Sequence, residues 1–495
     1  MQPNKYLYFN PFRIGSVSFE LVFDDVLKIL NLEPNSKVTI LTCNGFLKNC
    51  STNIEGSKLK CSLCSMSSNH LFKKYKHQRI KIIDLGKFSH KKIENEFNYN
   101  SLDDIKKIDY KGVNIGMGVV SSLVSYTRNL ELNFNKTSQH IINNLIFSNC
   151  KLIESLNNLG LDYKDYKIKV FNGRFSELRT FFNYFRGKVN TLEFVYTKTK
   201  NEIKRVEFSN SLPHSIEENT KKILLNWNSK DEIIRETLSK DFFESKLNNT
   251  AFNDTNYTKN QVKNALPEKF DDSKINISYF VSSEDEVYAI GGRWDEDKLF
   301  EKQIDFLSFW ITNFKNMDNY HLYVRMHPNL KGLAFDYVKD YYNYNLDNIS
   351  VIEPSSKVSS YKLMFESNIV IVSSSSIGFE ANYFDKPVIQ IGANFYSDLE
   401  ITHKPKNLND LKKMILNKNL KSNNKIDSMK MALYLTCPPF EEFQVLNSIF
   451  GINKFFGYNI RYSLNYPKYY KILNVLFRVF SLKSFLFKIK IKKFI

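Results

Sequence analysis

The sequence predicts an α/β protein with two domains of similar size, each built on a parallel β-sheet. Short apolar runs that are typical of buried strands alternate with amphipathic runs that are typical of helices. The predicted strands include 37–42 and 167–171 in the first half, and 275–281, 321–325 and 369–372 in the second. Ligands of such sheets bind outside the carboxyl ends of the strands, so functional residues are expected in the loops that follow them.

A polar segment separates the two halves. Residues 245–274 are rich in Asn, Lys, Asp and Thr, which is typical of a linker or a long loop. The predicted organisation is therefore an N-terminal domain over 1–244, a linker over 245–274, a C-terminal domain over 275–460 and a tail over 461–495. A length of 495 residues accommodates such an arrangement.

Composition limits the class of protein. Apolar residues make up 42% and aromatic residues 15%, enough for a large core, which excludes wholesale disorder, collagen and a disulfide scaffold. The net charge of +18 indicates an anionic partner. The sequence has no P-loop, no GxGxxG, no GxSxG and no HExxH, so kinase, dehydrogenase, serine-hydrolase and zinc-protease functions lose support.

The C-terminal tail is strongly basic. Residues 466–495 carry eight Lys or Arg and no acid, among many Phe, Leu and Ile. Arg478 and Lys483 interrupt any span, so we expect peripheral attachment to an anionic membrane surface. The alternative is a final helix packed on the domain with a solvated basic end. Nucleic acid is not expected because no binding motif accompanies the charge.

No signal peptide and no apolar run of about 18 residues are visible in the sequence. We therefore expect a cytoplasmic protein, peripheral at the inner face of the plasma membrane.

A serine-rich segment is the most informative motif. Four consecutive serines, 373–376, follow a buried strand and precede a helix that carries Gly378 and Glu380. Serine hydroxyls and the backbone N–H groups of a helix start can bind phosphate, and Glu380 can accept hydrogen bonds from ribose. The alternative is an ordinary serine cap, although a full capping box fails because Ile377 stands three residues before the glutamate.

A second motif ends the strand 321–325. Arg325 is followed by His327 and Pro328, and the proline fixes the turn that aims the imidazole. His327 can donate to a leaving phosphate or act as an acid. A structural histidine at a turn is the alternative. Because both motifs follow strands, we expect them at the same edge of one sheet.

Two further segments offer charged groups after strands. Glu284 lies in an acidic run that can act as a base or bind a metal, and Gly291, Gly292 and Arg293 follow it. The glycines permit close backbone approach to a ligand. The alternative is a solvated acidic turn.

In the first half, Asn172 and Gly173 form a tight turn that leaves Arg174 at a strand edge. Arg174 can contact an anionic donor or acceptor. A plain turn with a surface arginine is equally compatible with the pattern.

Four cysteines fall within 22 residues: Cys43, Cys50, Cys61 and Cys64. The CxxC spacing of the last two is typical of structural zinc, whereas the spacing of the first two is wider than usual. Unligated thiols are the alternative.

Taken in order, these segments resemble bacterial capsular and surface-polysaccharide glycosyltransferases of GT-B type, over roughly residues 5–450. The segments that carry the resemblance are 42–47 with the cysteines, 172–174, 282–286, 324–328, 373–381 and 386–389. The serine and His-Pro elements also resemble polymerases that use CDP-glycerol, and 378–388 resembles UDP-GlcNAc 2-epimerases. A non-catalytic GT-B subunit of a polysaccharide assembly complex is a further alternative.

The resemblance implies two Rossmann-like domains facing a cleft, with a nucleotide-sugar donor on the C-terminal domain and a glycan or lipid-linked acceptor on the N-terminal one. It implies that His327 is catalytic and that the chemistry needs no bound metal. Asp24, Asp25 and Glu177 are candidate bases, because the Asp/Glu-Asp/Glu-Gly motif of bacterial sialyltransferases is absent from the sequence.

The predicted donor-binding residues are Arg325, Ser373, Ser374, Ser375, Ser376, Gly378, Glu380, Gly291, Gly292 and Arg293. The predicted acceptor-side or cleft residues are Asn172, Arg174 and Glu284.

Overall fold

The computed structural model describes residues 4–11, 17–89, 93, 96–197, 202–248, 258, 260–344, 346–437, 450–455 and 458–463. The chain forms two compact units, with a boundary between Pro213 and His214 and a second boundary after Pro439. This division precedes the predicted linker 245–274, because two helices within 216–247 pack in the second unit. The predicted basic tail lies outside the described residues from 464 onward.

The first unit alternates strands and helices. Its strands are β1 (Lys5–Phe9), β2 (Lys37–Thr42), β3 (Ile80–Asp84), β4 (Asp109–Tyr110), β5 (Val113–Asn114), β6 (Tyr166–Phe171), β7 (Val189–Thr197) and β8 (Glu202–Phe208). Its helices are α1 (Val17–Leu32), α2 (Lys58–Lys74), α3 (Leu102–Lys106), α4 (Gly116–Thr127), α5 (Lys136–Asn158) and α6 (Ser176–Tyr184).

The main sheet of this unit runs in the order β3-β2-β1-β6-β7-β8 among the described strands. Every neighbouring pair is parallel except β7 with β8. The strand order reverses between β1 and β6. Strand β2, inside the sheet, has five consecutive buried residues, as expected where helices cover both faces of a parallel sheet.

A buried ion-pair network crosses the first unit. Asp25 of α1 is fully buried, and it accepts hydrogen bonds at 2.5 Å from the Tyr8 hydroxyl and from an Arg205 Nη. Arg205 and Lys169 both contact Glu207, at 3.1 and 2.9 Å. These contacts join α1 to β1, β6 and β8. The network therefore ties a helix to three strands that are distant in sequence.

The second unit carries a second parallel sheet. Its strands are β9 (Ile275–Phe280), β10 (Tyr320–Arg325), β11 (Ile349–Ile352), β12 (Ile369–Val372) and β13 (Val388–Gln390). Its helices are α7 (Ile216–Asn228), α8 (Glu232–Leu247), α9 (Glu284–Val287), α10 (Arg293–Glu296), α11 (Asp305–Phe314), α12 (Asp336–Lys339), α13 (Ser360–Glu366), α14 (Ile377–Tyr383), α15 (Leu408–Leu416) and α16 (Lys425–Thr436). Strands β14 (Phe450–Phe455) and β15 (Tyr458–Ser463), which belong to the first unit, form a separate antiparallel pair.

The described strands of this sheet run in the order β11-β10-β9-β12-β13, and all neighbouring pairs are parallel. The order reverses between β9 and β12, as it does between β1 and β6. Both units thus have the strand order of a Rossmann-like sheet. The prediction of two Rossmann-like α/β domains is confirmed.

One helix of the second unit is shorter than the amphipathic pattern of its sequence indicates. The amphipathic stretch 298–314 becomes helical only at Asp305. The residues before it are bonded to the edge of the sheet instead: Leu299 N–H donates to Ile391 C=O at 2.9 Å, and the Gln303 side chain accepts from Ser282 N–H at 2.9 Å. Tertiary hydrogen bonds therefore outweigh local helical propensity here.

Among the helices of the described residues, none combines the length and the apolar character needed to cross a lipid bilayer.

The Asp25 network predicts a large stability effect. Asp25→Ala leaves the poorly exposed Arg205 and Lys169 with one carboxylate between them, and unpaired buried charge of this kind costs about 3–5 kcal/mol. Urea unfolding followed by circular dichroism should show this loss. The control is Asp165→Ala, whose exposed pair with Lys5 should be worth less than about 1 kcal/mol. Equal effects of the two substitutions would contradict the role of the network.

Candidate functional site

The reversal of strand order places two loops side by side in the second unit. Strand β9 ends at Phe280 and strand β12 at Val372, and these two residues pair in register. The loops that follow, 281–283 and 373–376, therefore leave the sheet at the same edge. In open α/β sheets this is the point at which ligands bind.

Hydrogen bonds fix the two loops to one another. Ser374 N–H donates to Ser282 Oγ at 2.9 Å, and the Ser374 hydroxyl donates to Ala393 C=O at 2.8 Å. Ser282 N–H in turn donates to the Gln303 side chain at 2.9 Å. The position of the serine loop is thus determined by three separate segments of the chain.

The loop after β13 holds the serine carbonyls. The Tyr396 hydroxyl donates to Ser375 C=O at 2.6 Å, and the Asn394 amide donates to Ser373 C=O at 3.3 Å. Gly378 is required beside this contact, because a Cβ there would lie 2.3 Å from the Tyr396 hydroxyl oxygen. Sequence reasoning missed Asn394 and Tyr396, although their position after a strand at the same edge was an available signal.

Ser376 does not act as an ordinary helix cap. It stands at the start of α14, makes no side-chain capping hydrogen bond and is exposed. Capping of α14 thus does not account for this serine. The hydroxyl at the exposed end of the loop is placed where a ligand can reach it.

His327 follows β10 at the same edge, as the sequence predicts, since β10 pairs with β9. Its Nδ1 accepts a hydrogen bond from Asn329 N–H at 3.2 Å. The neutral ring therefore carries its proton on Nε2. The Asn329 amide donates to Glu286 at 2.6 Å, which connects the histidine turn to the loop after β9.

Glu284 lies on the wall of a cavity of about 70 Å³ that Ser373 and Ser374 also line. Burial raises the pKa of Glu284 to about 7, against the opposing effect of Lys298 and Lys302. The structure therefore joins Glu284 to the serine loop in the second unit, and its role as an acceptor-side or cleft residue stays a prediction.

Arg325 is buried at the end of β10. Its side chain is 2% exposed, and it donates to Glu353 C=O at 2.6 Å and to Ser356 C=O at 3.4 Å. Burial lowers its pKa to about 10. The guanidinium holds the loop after β11, and its contact with a donor stays a prediction.

Arg293 is also occupied by protein groups. Its guanidinium pairs with three carboxylates, Asp297 at 2.6 Å, Asp398 at 2.7 Å and Glu217 at 3.2 Å. These neighbours neutralise the charge that was predicted to meet a donor. The contact of Arg293 with a donor stays a prediction.

Gly291 and Gly292 adopt positive φ values of 85° and 59°, which explains why glycine stands there. No other group lies within 4 Å of a Cβ placed on Gly292, so that glycine serves the turn rather than a close approach within the protein.

Glu380 is nearly fully buried, at 3% exposure, and accepts a hydrogen bond from the Tyr361 hydroxyl. Its contact with ribose stays a prediction. Within the folded unit, the carboxylate ties α14 to α13.

In the first unit, the turn after β6 is tight, as predicted. Asn172 has a φ of 58° and Gly173 a φ of 70°. The Asn172 amide donates to Glu193 at 2.8 Å, and burial raises the pKa of Glu193 to about 7.

Arg174 is 7% exposed, and its Nε donates to Ser121 at 2.8 Å. The arginine is therefore not the surface group that the sequence suggested, and Glu193 was missed.

The candidate bases in the first unit have structural partners. Asp25 belongs to the buried network described above. Glu177 is 3% exposed and accepts from both the N–H and the hydroxyl of Ser51, at 2.8 and 2.7 Å. Asp24 shares a hydrogen bond with Tyr75. Asp25 and Glu177 thus hold a helix and a loop in place, and their role as catalytic bases stays a prediction.

The four cysteines predicted to bind zinc are Cys43, Cys50, Cys61 and Cys64. Cys50 Sγ lies 3.4 Å from the Thr52 hydroxyl, and Cys61 Sγ accepts from the Asn53 amide at 3.2 Å. No three His, Cys, Asp or Glu side chains of the described ranges come together as a metal ion requires. Burial raises the pKa of Cys43 to about 12. The arrangement in the described residues therefore lends no support to zinc binding, and structural zinc stays a prediction.

The chain was compared with family models, curated proteins and solved structures. No protein-family model matches the chain, and no curated protein matches its sequence. The chain is similar to several solved structures.

The β-Kdo 2,7 transferase KpsC of Thermosulfurimonas dismutans is 14% identical over 73% of this chain and 94% of its own, with a TM-score of 0.34. The UDP-GlcNAc 2-epimerase of Neisseria meningitidis is 11% identical over 87% and 94%, with a TM-score of 0.23. A glycosyltransferase of Rickettsia africae is 11% identical over 88% and 94%, with a TM-score of 0.22. Since each TM-score lies below 0.5, none of these proteins fixes what this chain binds.

The raised pKa of Glu284 predicts a pH-dependent stability. Its folded pKa of about 7 exceeds the ordinary value of 4.5, so the carboxyl favours the folded state fully below pH 4.5 and loses this contribution as pH rises through 7. Glu284→Gln should therefore stabilise the second unit at pH 8, by about 2–3 kcal/mol at most, and leave it unchanged at pH 4.

Thermal unfolding at both pH values checks this expectation, with the exposed Glu232→Gln as the matched control. A gain at pH 8 that is no larger than that of the control would show that Glu284 ionises normally.

The close approach of Gly378 to Tyr396 predicts that a substitution at Tyr396 restores part of the stability lost by a substitution at Gly378. Gly378→Ala should lower the free energy of unfolding by about 1–3 kcal/mol, because the new methyl group meets the tyrosine hydroxyl. Adding Tyr396→Phe removes that oxygen and should recover part of the loss. A double-mutant cycle by urea unfolding measures the coupling. Additive effects would mean that the hydroxyl does not limit the space at Gly378.

Proposed function

We propose that the chain is a glycosyltransferase of GT-B type that moves a sugar from a nucleotide-sugar donor to a growing surface glycan. The observation that supports it most is the convergence of the serine loop, the loop after β9 and His327 at the point where strand order reverses in the second unit. In sheets of this order, that edge is where nucleotides bind. The ordered motifs of the sequence support the same class.

The proposed donor site uses the serine loop for phosphate. Tyr396 and Asn394 donate hydrogen bonds to a carbonyl of this loop, that of Ser375. In the proposed complex, the exposed Ser376 hydroxyl and the N–H groups of the loop donate to phosphate oxygens.

His327 would complete the phosphate contacts. With Nδ1 accepting from Asn329, Nε2 carries the proton and can donate to the phosphate that leaves as the glycosidic bond forms. Such donation stabilises the negative charge that grows on the leaving group.

A glycan or lipid-linked acceptor and attachment of the basic tail to an anionic membrane belong to the same proposal. The eight positive charges of residues 466–495 would meet anionic lipid headgroups. This arrangement would concentrate the enzyme where lipid-linked acceptors are found.

Nucleotide binding tests the proposal. In a thermal-shift series with CMP, CDP, UDP and GDP, one nucleotide should raise the Tm of the full chain by several degrees at a hundredfold excess over Kd. Ser376→Asp should abolish this shift, because it adds a negative charge where phosphate is expected. Its matched control, Ser308→Asp on the exposed face of α11, should retain the shift.

The same nucleotide identifies the donor class for a rate measurement. His327→Ala should slow nucleotide release from the matching sugar nucleotide by about 10²–10⁴-fold. A rate within twofold of wild type would remove His327 from the mechanism. Absence of a shift with all four nucleotides would contradict the proposed function itself.

A further inference from the structure

The cavity beside the serine loop has a distinctive lining. It lies at the same edge of the second sheet and is bounded by the loops after β9, β12 and β13 and by residues 294–303. Aromatic rings form much of its wall, including Tyr279, Trp294 and Phe300. Two polar side chains, Glu284 and Ser373, lie beside them. A few polar groups among aromatic walls are typical of small-molecule sites.

Ser373 offers the cavity a hydroxyl with unused hydrogen-bonding capacity. The residue is 7% exposed, and within the described part of the chain its hydroxyl has no hydrogen-bond partner. Gly392 makes room for it, since a Cβ there would lie 2.5 Å from Ser373 Oγ. Because Ser373 lines the cavity, its hydroxyl can form a hydrogen bond with a ligand there.

The charges around the cavity oppose an anion. Glu284, Asp295 and Glu301 line it, against a single ammonium group, that of Lys298. Lys298 also donates to Glu301 C=O at 3.3 Å. A carboxylate or phosphate placed here would meet like charge, whereas an uncharged hydroxyl would find acceptors.

We infer that this cavity binds the hydroxylated edge of a neutral ring of the donor, through the Glu284 carboxylate and the Ser373 hydroxyl. At about 70 Å³, it takes one edge of a ring and not a whole nucleotide. The ring belongs either to the transferred sugar or to the ribose. Where the sugar occupies the cavity, the site selects neutral sugars over sugar acids. This inference rests on the proposed function.

Matched ligands separate the two sources of the ring. Titration calorimetry of the full chain would use UDP, UDP-glucose and UDP-glucuronate, which differ stepwise by the sugar and by one carboxylate. If the sugar occupies the cavity, UDP-glucose should bind about tenfold more tightly than UDP-glucuronate. Glu284→Gln should then reduce the difference in affinity between UDP-glucose and UDP-glucuronate, and it should leave the affinity for UDP unchanged.

If the ribose occupies the cavity, UDP itself should bind about tenfold more weakly to Glu284→Gln and to Ser373→Ala. The control Glu232→Gln should bind every ligand as the wild type does. Should the nucleotide screen select GDP, then GDP, GDP-mannose and GDP-mannuronate replace the three uridine ligands.

Two results would overturn the inference. One is equal affinity of wild type and both cavity variants, within twofold, for all three ligands. The other is tightest binding of an acidic-sugar nucleotide, such as CMP-N-acetylneuraminate, with an affinity that neither Glu284→Gln nor Ser373→Ala lowers. In both cases a nucleotide binds, so the proposed function stands without this subsite. If no nucleotide binds in the initial screen, the proposed function and the subsite fail together.

Discussion

The second unit depends on the parallel pairing of β9 with two neighbours, β10 on one side and β12 on the other. Because β12 lies on the opposite side of β9 from β10, the chain changes direction across the sheet at this strand. The loops after β9 and β12 are adjacent only for this reason. The hydrogen bond from Ser374 N–H to Ser282 Oγ, across 92 residues of sequence, is one consequence.

Much of the fold was accessible from the sequence because strand and helix periodicities are local. The strands 37–42 and 369–372 were predicted with their observed limits. The edge shared by His327 and the four serines also followed from simple reasoning, since both segments come after strands of one parallel sheet. Predictions of this kind need only the order of strands and loops along the sequence.

The roles of single charged residues were not accessible in the same way. Asp25 pairs with Arg205, which is 180 residues away, and Glu177 holds Ser51 from a distance of 126 residues. The sequence shows that a carboxylate follows or precedes an element but not which buried donor meets it. Burial gives Asp25, Glu177 and Arg325 structural partners, while their roles at the site stay predictions. Burial also raises the pKa values of Glu193 and Glu284, which no local pattern signals.

The positions of the tryptophans determine which part of the molecule its intrinsic fluorescence reports on. The chain has three, Trp227, Trp294 and Trp310, and all of them belong to the second unit. Tryptophan emission therefore reports on that unit alone, while the first unit is visible through tyrosine. Trp294 donates its indole N–H to His214 C=O at 2.7 Å and also lines the cavity beside Ser373. The molecule thus carries an intrinsic fluorophore at its candidate site, with no label required.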